Sequence, residues 1–342
     1  MTLKERLLAA AGYRAGAKPL RLLSGRGVPA APRLSVVIPT RNRPASVVRT
    51  VGSVLRCDTP SHFEVIVIDQ SDNDQTAIAL RAFDGDDRLR HVRAGARAMA
   101  AARNEGTALA RADVVAFADD GWTVPRDWLA RIESAFLAHP GVGLVFGDVV
   151  PGPHDPGAGI IPAHHHRRSR VVTSLVAYAG SVGTGTCLAV RRPAFEVVGR
   201  FDEALSPGRR LPSAGDHDLA MRLLLDGWSV LETPRVSIVD HDLRSFDQLR
   251  ALAERDWTAI GAAHAKLLRS DWRRVGPAVA RNTLALALGA AVAALLNGRR
   301  PGGLRQQLCY WRGFARGCRV AIDASTRCFS PRRHGGRPGA GR

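Results

Sequence analysis

Carboxylates follow the apolar runs of this chain, and that order of residue types sets what chemistry it could do. Val114-Val-Ala-Phe117 reads as a short buried strand, and Asp119 and Asp120 stand where it stops. Glu64-Val-Ile-Val-Ile68 reads as another, ended by Asp69. Open α/β sheets bind ligands at the carboxyl edge of their strands. Adjacent acids at that edge can hold a hard divalent cation through oxygen, and can equally be turn and cap residues. Further on, Asp216 and Asp218 open an apolar-faced helix within 213–228, and Asp240-His241 closes a short strand over Val236–Val239. An acid at a helix start also serves the helix dipole, and a lone histidine after a strand is commonly structural.

The elements that must position these groups alternate along the chain. Leu34–Ile38 is a strand closed by Pro39, Thr40–Arg43 a loop, and Pro44 opens a helix with Val47, Val48, Val51, Val54 and Leu55 on one face. After the strand ending at Asp69, a weaker strand falls near Leu89–Val92, and the Ala-rich stretch 97–111 is helix-prone. Thr123 offers an N-cap and Pro125 a first turn for a helix with Trp128, Leu129, Ile132, Phe136 and Leu137 at helical spacing. Leu144–Phe146 is a further strand. Residues 151–170, with His164, His165 and His166, have no periodicity and read as a mobile loop. Residues 181–192 return to the sheet, with Gly183 and Gly185 permitting close backbone approach to a ligand or a bend. Alternating strands and helices predict an α/β three-layer fold on a mainly parallel sheet. Two separate strands then deliver Asp69 and Asp119/Asp120 to one edge.

The net charge of +18 on 342 residues is concentrated at the ends: residues 1–33 carry +6, residues 273–342 carry +13, and the body between is at −1. Basic ends suit a polyanionic surface such as anionic lipid. Residues 282–298 are uncharged but contain Asn, Thr and Gly and fall short of the roughly 20 apolar residues a spanning helix needs, which predicts a helix packed on the body or lying in an interface. Tyr310, Trp311 and Phe314 among Arg305, Arg312, Arg316 and Arg319 read as an aromatic-basic membrane surface. Five scattered cysteines make no disulfide framework or zinc site and suit a reducing cytosol, and no signal-peptide core opens the chain. The expected division is a basic segment over 1–33, a catalytic domain over 34–245, a helical membrane-associating region over 246–329 and a disordered tail over 330–342, with the protein cytoplasmic and peripheral at the inner face of a membrane.

Five motifs in order resemble family-two glycosyltransferases of GT-A fold: Ser35-Val-Val-Ile-Pro-Thr-Arg-Asn42, Val67-Ile-Asp69, Ala102-Arg-Asn-Glu-Gly106, Phe117-Ala-Asp-Asp120, and Gly199-Arg-Phe-Asp-Glu203 with Gly215-Asp-His-Asp-Leu219. The resemblance covers about 34–242, and Pro234 and His241 match its closing strand. It implies a GT-A Rossmann-like three-layer sandwich with a helical C-terminal extension. It implies an inverting enzyme moving a sugar from a nucleoside-diphosphate donor to an acceptor hydroxyl, and the basic, aromatic C-terminus suits a glycan or lipid-linked acceptor in envelope polysaccharide or glycolipid synthesis. Pro39, Thr40 and Asn42 would line the nucleotide loop and Asp69 would meet the base. Arg103 (or Arg97) would lie near the diphosphate, and Asp119 near ribose or sugar. Asp120, helped by His241, would hold Mg²⁺ or Mn²⁺. Asp216 would be the general base, and Gly183, from its own spacing, is the backbone position open to a substrate. Two positions depart from the family's pattern. Gly121 replaces a third acid, and Gly215 replaces the Glu before Asp216, which makes Asp218 a competing base and leaves a catalytically impaired nucleotide-sugar-binding module as the alternative.

The loop after the first strand, Pro39-Thr-Arg-Asn-Arg-Pro44, has no glycine, which disfavours a nucleotidyltransferase or nicotinamide enzyme, and no P-loop pattern occurs. With three tyrosines and no recognised module, no nucleic-acid partner is expected.

Overall fold

The computed structural model describes residues 33–95, 98–178, 187–206, 211, 213–297 and 304–330. β1 (Leu34–Thr40) leads to α1 (Pro44–Leu55), β2 (Phe63–Asp69) to α2 (Gln75–Leu80), and β3 (Leu89–Arg93) to α3 (Met99–Leu109). β4 (Val114–Phe117) is followed by the two-residue β5 (Trp122–Thr123) and α4 (Trp128–Ala138). Then come β6 (Val142–Pro151), β7 (Arg170–Val172), α5 (Leu175–Tyr178), β8 (Leu188–Arg191), α6 (Arg192–Val197), α7 (Gly215–Leu225) and β9 (Ser229–Asp240). Three longer helices close the described chain: α8 (Phe246–Ser270), α9 (Trp272–Asn297) and α10 (Leu304–Gly317).

The strands form one sheet in the order β3-β2-β1-β4-β8-β6-β9-β5, with β7 also on β9. β3, β2, β1 and β4 run parallel. β8 is antiparallel to both β4 and β6, and β6 and β9 are parallel. Alternation along β1 splits the core. Val36 and Ile38 join Val47, Val51, Trp128 and Leu129 of α1 and α4, while Val37 joins Ala102 of α3 and Leu219 and Leu223 of α7. Helices therefore cover both sheet faces, the three-layer arrangement the apolar runs predict.

Pro39 does not close β1. The strand continues to Thr40, in register with Asp69 of β2. The pairing with β4 stops at Val37, so beyond it β1 is an edge, where a missing N–H costs no ladder bond. Thr123 is likewise no N-cap. It lies in β5, opposite Val239, and α4 begins at Trp128 after Asp127. Leu137, expected on that helix's apolar face, is exposed. The loop 151–170 is pinned at two bridges, Val149 to His164 and Ile160 to Arg244, and His165 Nδ1 lies 3.3 Å from Asp148 Oδ2. These ties correct the expectation of a mobile segment.

The region after 245 is part of the same body. A capping box starts α8: Ser245 Oγ accepts from Gln248 N at 3.3 Å, and Gln248 Oε1 from Ser245 N at 2.9 Å. α10 then packs along α8 at backbone distance. A Cβ on Gly313 would collide with the Thr258 carbonyl, and one on Gly317 would lie 2.6 Å from the Ala262 carbonyl oxygen. Tyr310 is buried in that contact, with His264 Nδ1 3.0 Å from its hydroxyl. It is thus not part of a membrane-facing surface, although Trp311, next in sequence, is exposed. Val275, Ala278 and Val279 of α9 enter the core. No described helix is long and apolar enough to cross a membrane. The segments 1–32 and 331–342, expected to be a basic linker and a disordered tail, lie outside the described residues, as do Gly183 and Arg97.

Candidate active site

The strand ends bring the expected acids to one edge, where α3 supplies a shared cation. Arg103 donates from Nη2 to Asp119 Oδ1 at 2.9 Å and from Nη1 to Asp216 Oδ1 at 3.1 Å. Its guanidinium lies 5.7 Å from the Phe117 ring centroid and 5.5 Å from that of Phe201, cation–π contacts that help to fix it. The rest of the 102–106 motif fixes that helix in place. Asn104 exchanges hydrogen bonds with the Phe201 backbone, 3.0 Å in each direction. Gly106 lies against Val37, where a Cβ would overlap the valine methyls. The glycine lets α3 sit close on β1, and Asn104 ties α3 to the 199–203 turn.

Asp216 lies in the first turn of α7, two residues after Ala214, a non-glycine residue at φ 64°. The left-handed conformation costs such a residue about 1–2 kcal/mol, so strain is stored two residues from this carboxylate. Burial pushes Asp216 up to about 6 against the opposing pull of Arg103. Asp218, the competing base, does not share the site. It is fully buried, 2.9 Å from Arg222 Nε and 2.7 Å from Lys266 Nζ. Burial would raise its pKa, but Lys266 and Arg222 outweigh that and hold it below the usual carboxylate range.

A cavity of about 390 Å³ opens beside Asp216. Arg103, Asp119, Asp216 and Asp240 line it on the sheet side, and Leu252, Asp256, Trp257 and Ile260 of α8 line it opposite. The helical region expected to serve a membrane thus supplies one wall of the site.

Next to the cavity, Thr40 Oγ1 donates to Asp120 Oδ2 at 2.7 Å, and Arg43 Nη1 donates to Asp120 Oδ1 at 2.8 Å. Burial raises Asp120 to about 6, which Thr40 and Arg43 oppose. The same Arg43 Nη1 donates to Asp242 Oδ2 at 2.9 Å, and its Nη2 donates to Asp242 Oδ1. The sequence pairs Asp120 with His241, but Arg43 joins Asp120 to Asp242. The His241 ring turns instead to Thr123, Nε2 to Oγ1 at 2.9 Å. Among the described residues no group of three His, Cys, Asp or Glu side chains could hold a metal.

Asp69 is also placed differently from the expectation of a base-reading carboxylate. It is fully buried, with Oδ1 accepting from Ser71 N at 2.9 Å and Oδ2 lying 3.1 Å from His91 Nε2 and 3.4 Å from Arg93 Nη1. Burial alone would raise its pKa, but the bonds from Ser71 and His91 hold it low. Asp69 therefore organises the loop. Asn42, at φ 56°, ties β1 to that loop through Ser71 Oγ at 2.8 Å and Asp72 at 2.8 and 2.9 Å, and Asn is among the residues that tolerate the left-handed region. Pro39 and Thr40 stand beside it at the end of β1.

A parallel half-sheet, acids at its carboxyl edge and a cavity closed by a following helix together define a GT-A-type fold. Solved structures agree in fold: S. aureus TarS 1–349, at 14% identity and TM-score 0.59, with 84% of this chain and 81% of that one covered, and the mannosyltransferase PcManGT from Pyrobaculum calidifontis in complex with GDP-Man and Mn²⁺, at 22% identity and TM-score 0.57, with 84% and 87% covered. The model of glycosyl transferase family 2 matches residues 35–199, which hold β1 to β4 and the acids at their ends. Validoxylamine A glucosyltransferase of Streptomyces hygroscopicus subsp. limoneus is 40% identical over 114 residues, which are 32% of this chain and 24% of the relative. The match thus spans about a quarter of that relative's length.

Proposed function

We propose that this protein is an inverting glycosyltransferase that moves a sugar from a nucleoside-diphosphate donor to an acceptor hydroxyl. The observation that carries the reading is the Asp119–Arg103–Asp216 bridge at the wall of the cavity. It couples the acid of the donor edge to a carboxylate placed to serve the acceptor. In this reading the donor lies along the loops at 39–43 and 69–72, and the acceptor enters the cavity under Trp257. Asp216 takes the proton of the acceptor hydroxyl as its oxygen bonds to the anomeric carbon from the face opposite the departing diphosphate, which keeps the electron pair of the broken bond. Arg103 orients Asp216 and Asp119, and Thr40 orients Asp120. Arg43 brings the carboxylates of Asp120 and Asp242 to one positive group, and carboxylate oxygens suit a hard cation completed by phosphate oxygens, so Asp120 would hold Mg²⁺ or Mn²⁺. When bound, such an ion neutralises the leaving diphosphate as a Lewis acid.

A panel of nucleoside-diphosphate sugars tests this reading by thermal unfolding with and without Mn²⁺. At least one donor is expected to raise the midpoint, more so with metal, and transfer to yield the opposite anomeric configuration by NMR. No stabilisation by any donor, with or without Mn²⁺, would remove the reading. Donor binding without transfer or hydrolysis would leave the impaired binding module.

The acceptor is proposed to be a glycan or lipid-linked saccharide, with the protein cytoplasmic and peripheral on an anionic membrane. Leu304, Leu308 and Trp311 are exposed at one-turn spacing along α10, beside Arg305 and Arg312, which supports contact with such a surface. The protein is expected to float with vesicles containing anionic lipid at low salt and to be released by high salt. Equal recovery with neutral vesicles would count against the membrane role.

A further inference from the structure

Gly121 stands where a third acid would extend the Asp119-Asp120 run. A Cβ built there would lie 2.6 Å from Asp242 Cγ and 2.7 Å from Asp242 Oδ1. The volume next to Asp120 is thus filled by a carboxylate brought from just past the end of β9. That placement is well fixed. β5 and β9 pair Trp122 with Asp240, His241 N donates to the Gly121 carbonyl at 3.2 Å, and Asp242 N donates to Asp240 Oδ1 at 2.9 Å.

Arg43 gives the second observation. One of its nitrogens is shared by Asp120 Oδ1 and Asp242 Oδ2, at 2.8 and 2.9 Å, so the two carboxylates converge on a single positive group. The Arg43 side chain is 40% exposed and that of Asp242 30% exposed, which leaves the point of convergence open to solvent. Two carboxylates completed by phosphate oxygens and water make an ordinary Mg²⁺ site.

We propose that Asp242 is the second carboxylate of the divalent-cation site, in the space that Gly121 leaves free, and that Arg43 is the stand-in cation that metal must displace. This rests on the nucleotide-sugar reading above for the origin of the metal's phosphate oxygens. It makes Gly121 compatible with metal binding: the third acid is supplied from just past the end of β9 instead of by the next residue. It also gives Arg43 two positions, on the acid pair without metal and released beside the donor loop when metal is bound.

The test is Mn²⁺ titration of the full chain followed by electron paramagnetic resonance, without nucleotide and with GDP or UDP. Arg43→Gln should bind Mn²⁺ several-fold more tightly than wild type without nucleotide, because the competing cation is gone. Asp242→Asn in either background should weaken Mn²⁺ binding by about 10-fold or more, a loss typical of altered metal surroundings. His241→Ala should leave the affinity within about two-fold, since its ring is held by Thr123. Unchanged Mn²⁺ affinity in Asp242→Asn, or a loss in His241→Ala in its place, overturns the proposal, as does Arg43→Gln with no gain. The nucleotide-free comparison of Arg43→Gln with Arg43→Gln/Asp242→Asn reads the cation site alone. If no nucleoside-diphosphate sugar of the panel binds, the donor reading fails, and this nucleotide-free pair still decides the role of Asp242.

Discussion

Asp216→Asn is expected to fold, to bind donor, and to lose transfer by about 10²–10⁴-fold, the usual contribution of a positioned general base. The substitution keeps shape and the contact with Arg103 but removes the carboxylate that Arg103 links to Asp119. The pH profile gives an independent readout. Burial raises this carboxyl to about 6, so it is protonated and useless as a base at lower pH. Wild-type kcat/KM should fall as pH drops through about 6, and the variant's residual rate should lack that limb. Stability moves in the opposite sense. A carboxyl whose folded pKa lies above its unfolded one stabilises the fold at low pH, and that contribution is lost as pH rises through the folded value. The variant should therefore be at least as stable as wild type at pH 8, so lost activity cannot be ascribed to unfolding. Wild-type turnover in Asp216→Asn would remove the residue from the mechanism.

The acids at the ends of β2 and β4 were legible in the sequence because apolar runs of strand length stop at them, and parallel pairing then fixes them to one edge. The choice between Asp216 and Asp218 was legible too, once the predicted helix over 213–228 is given its angular pitch. Two positions along an α-helix turn the side chain by about 200°, so only one of the pair can face the cavity while the other enters the core. Asp242 was not legible. Its meeting with Arg43 spans 199 residues and depends on a two-residue strand that no periodicity can announce. Asp69 was placed correctly along the chain but its engagement by His91 and Arg93 comes from β3, a neighbour in space. Tyr310 illustrates a different limit. An aromatic among arginines on a helix reads the same whether it faces solvent or a glycine-lined partner, and Gly261 and Gly313 acquire that meaning only once α8 and α10 are paired.

Lys266→Met should cost about 3–5 kcal/mol of stability, the usual penalty for removing one partner from a buried ion pair. Lys266 is fully buried, with Nζ 2.6 Å from Asp202 Oδ2 and 2.7 Å from Asp218 Oδ1. Methionine fills similar volume but leaves both acids short of a cation. Arg222 still reaches Asp218 at 2.9 Å, so Asp202 carries most of the loss. Asp202 also accepts from Phe329 N at 2.7 Å, and the Phe329 ring lies 5.0 Å from the Lys266 ammonium. The lysine thus joins α8 to the 199–203 turn and to the last described segment. Through α8 it supports Trp257 and Ile260, the cavity wall. Urea unfolding should show a lowered midpoint, and Asp202→Asn in the Lys266→Met background should recover part of it by removing the stranded charge. Donor binding should survive where the variant is folded, because the 39–43 and 69–72 loops do not touch this network, whereas acceptor affinity should fall with the loosened wall. A midpoint equal to wild type would mean that the three-way contact contributes nothing. The C-terminal helices would then be held to the catalytic domain by apolar packing alone.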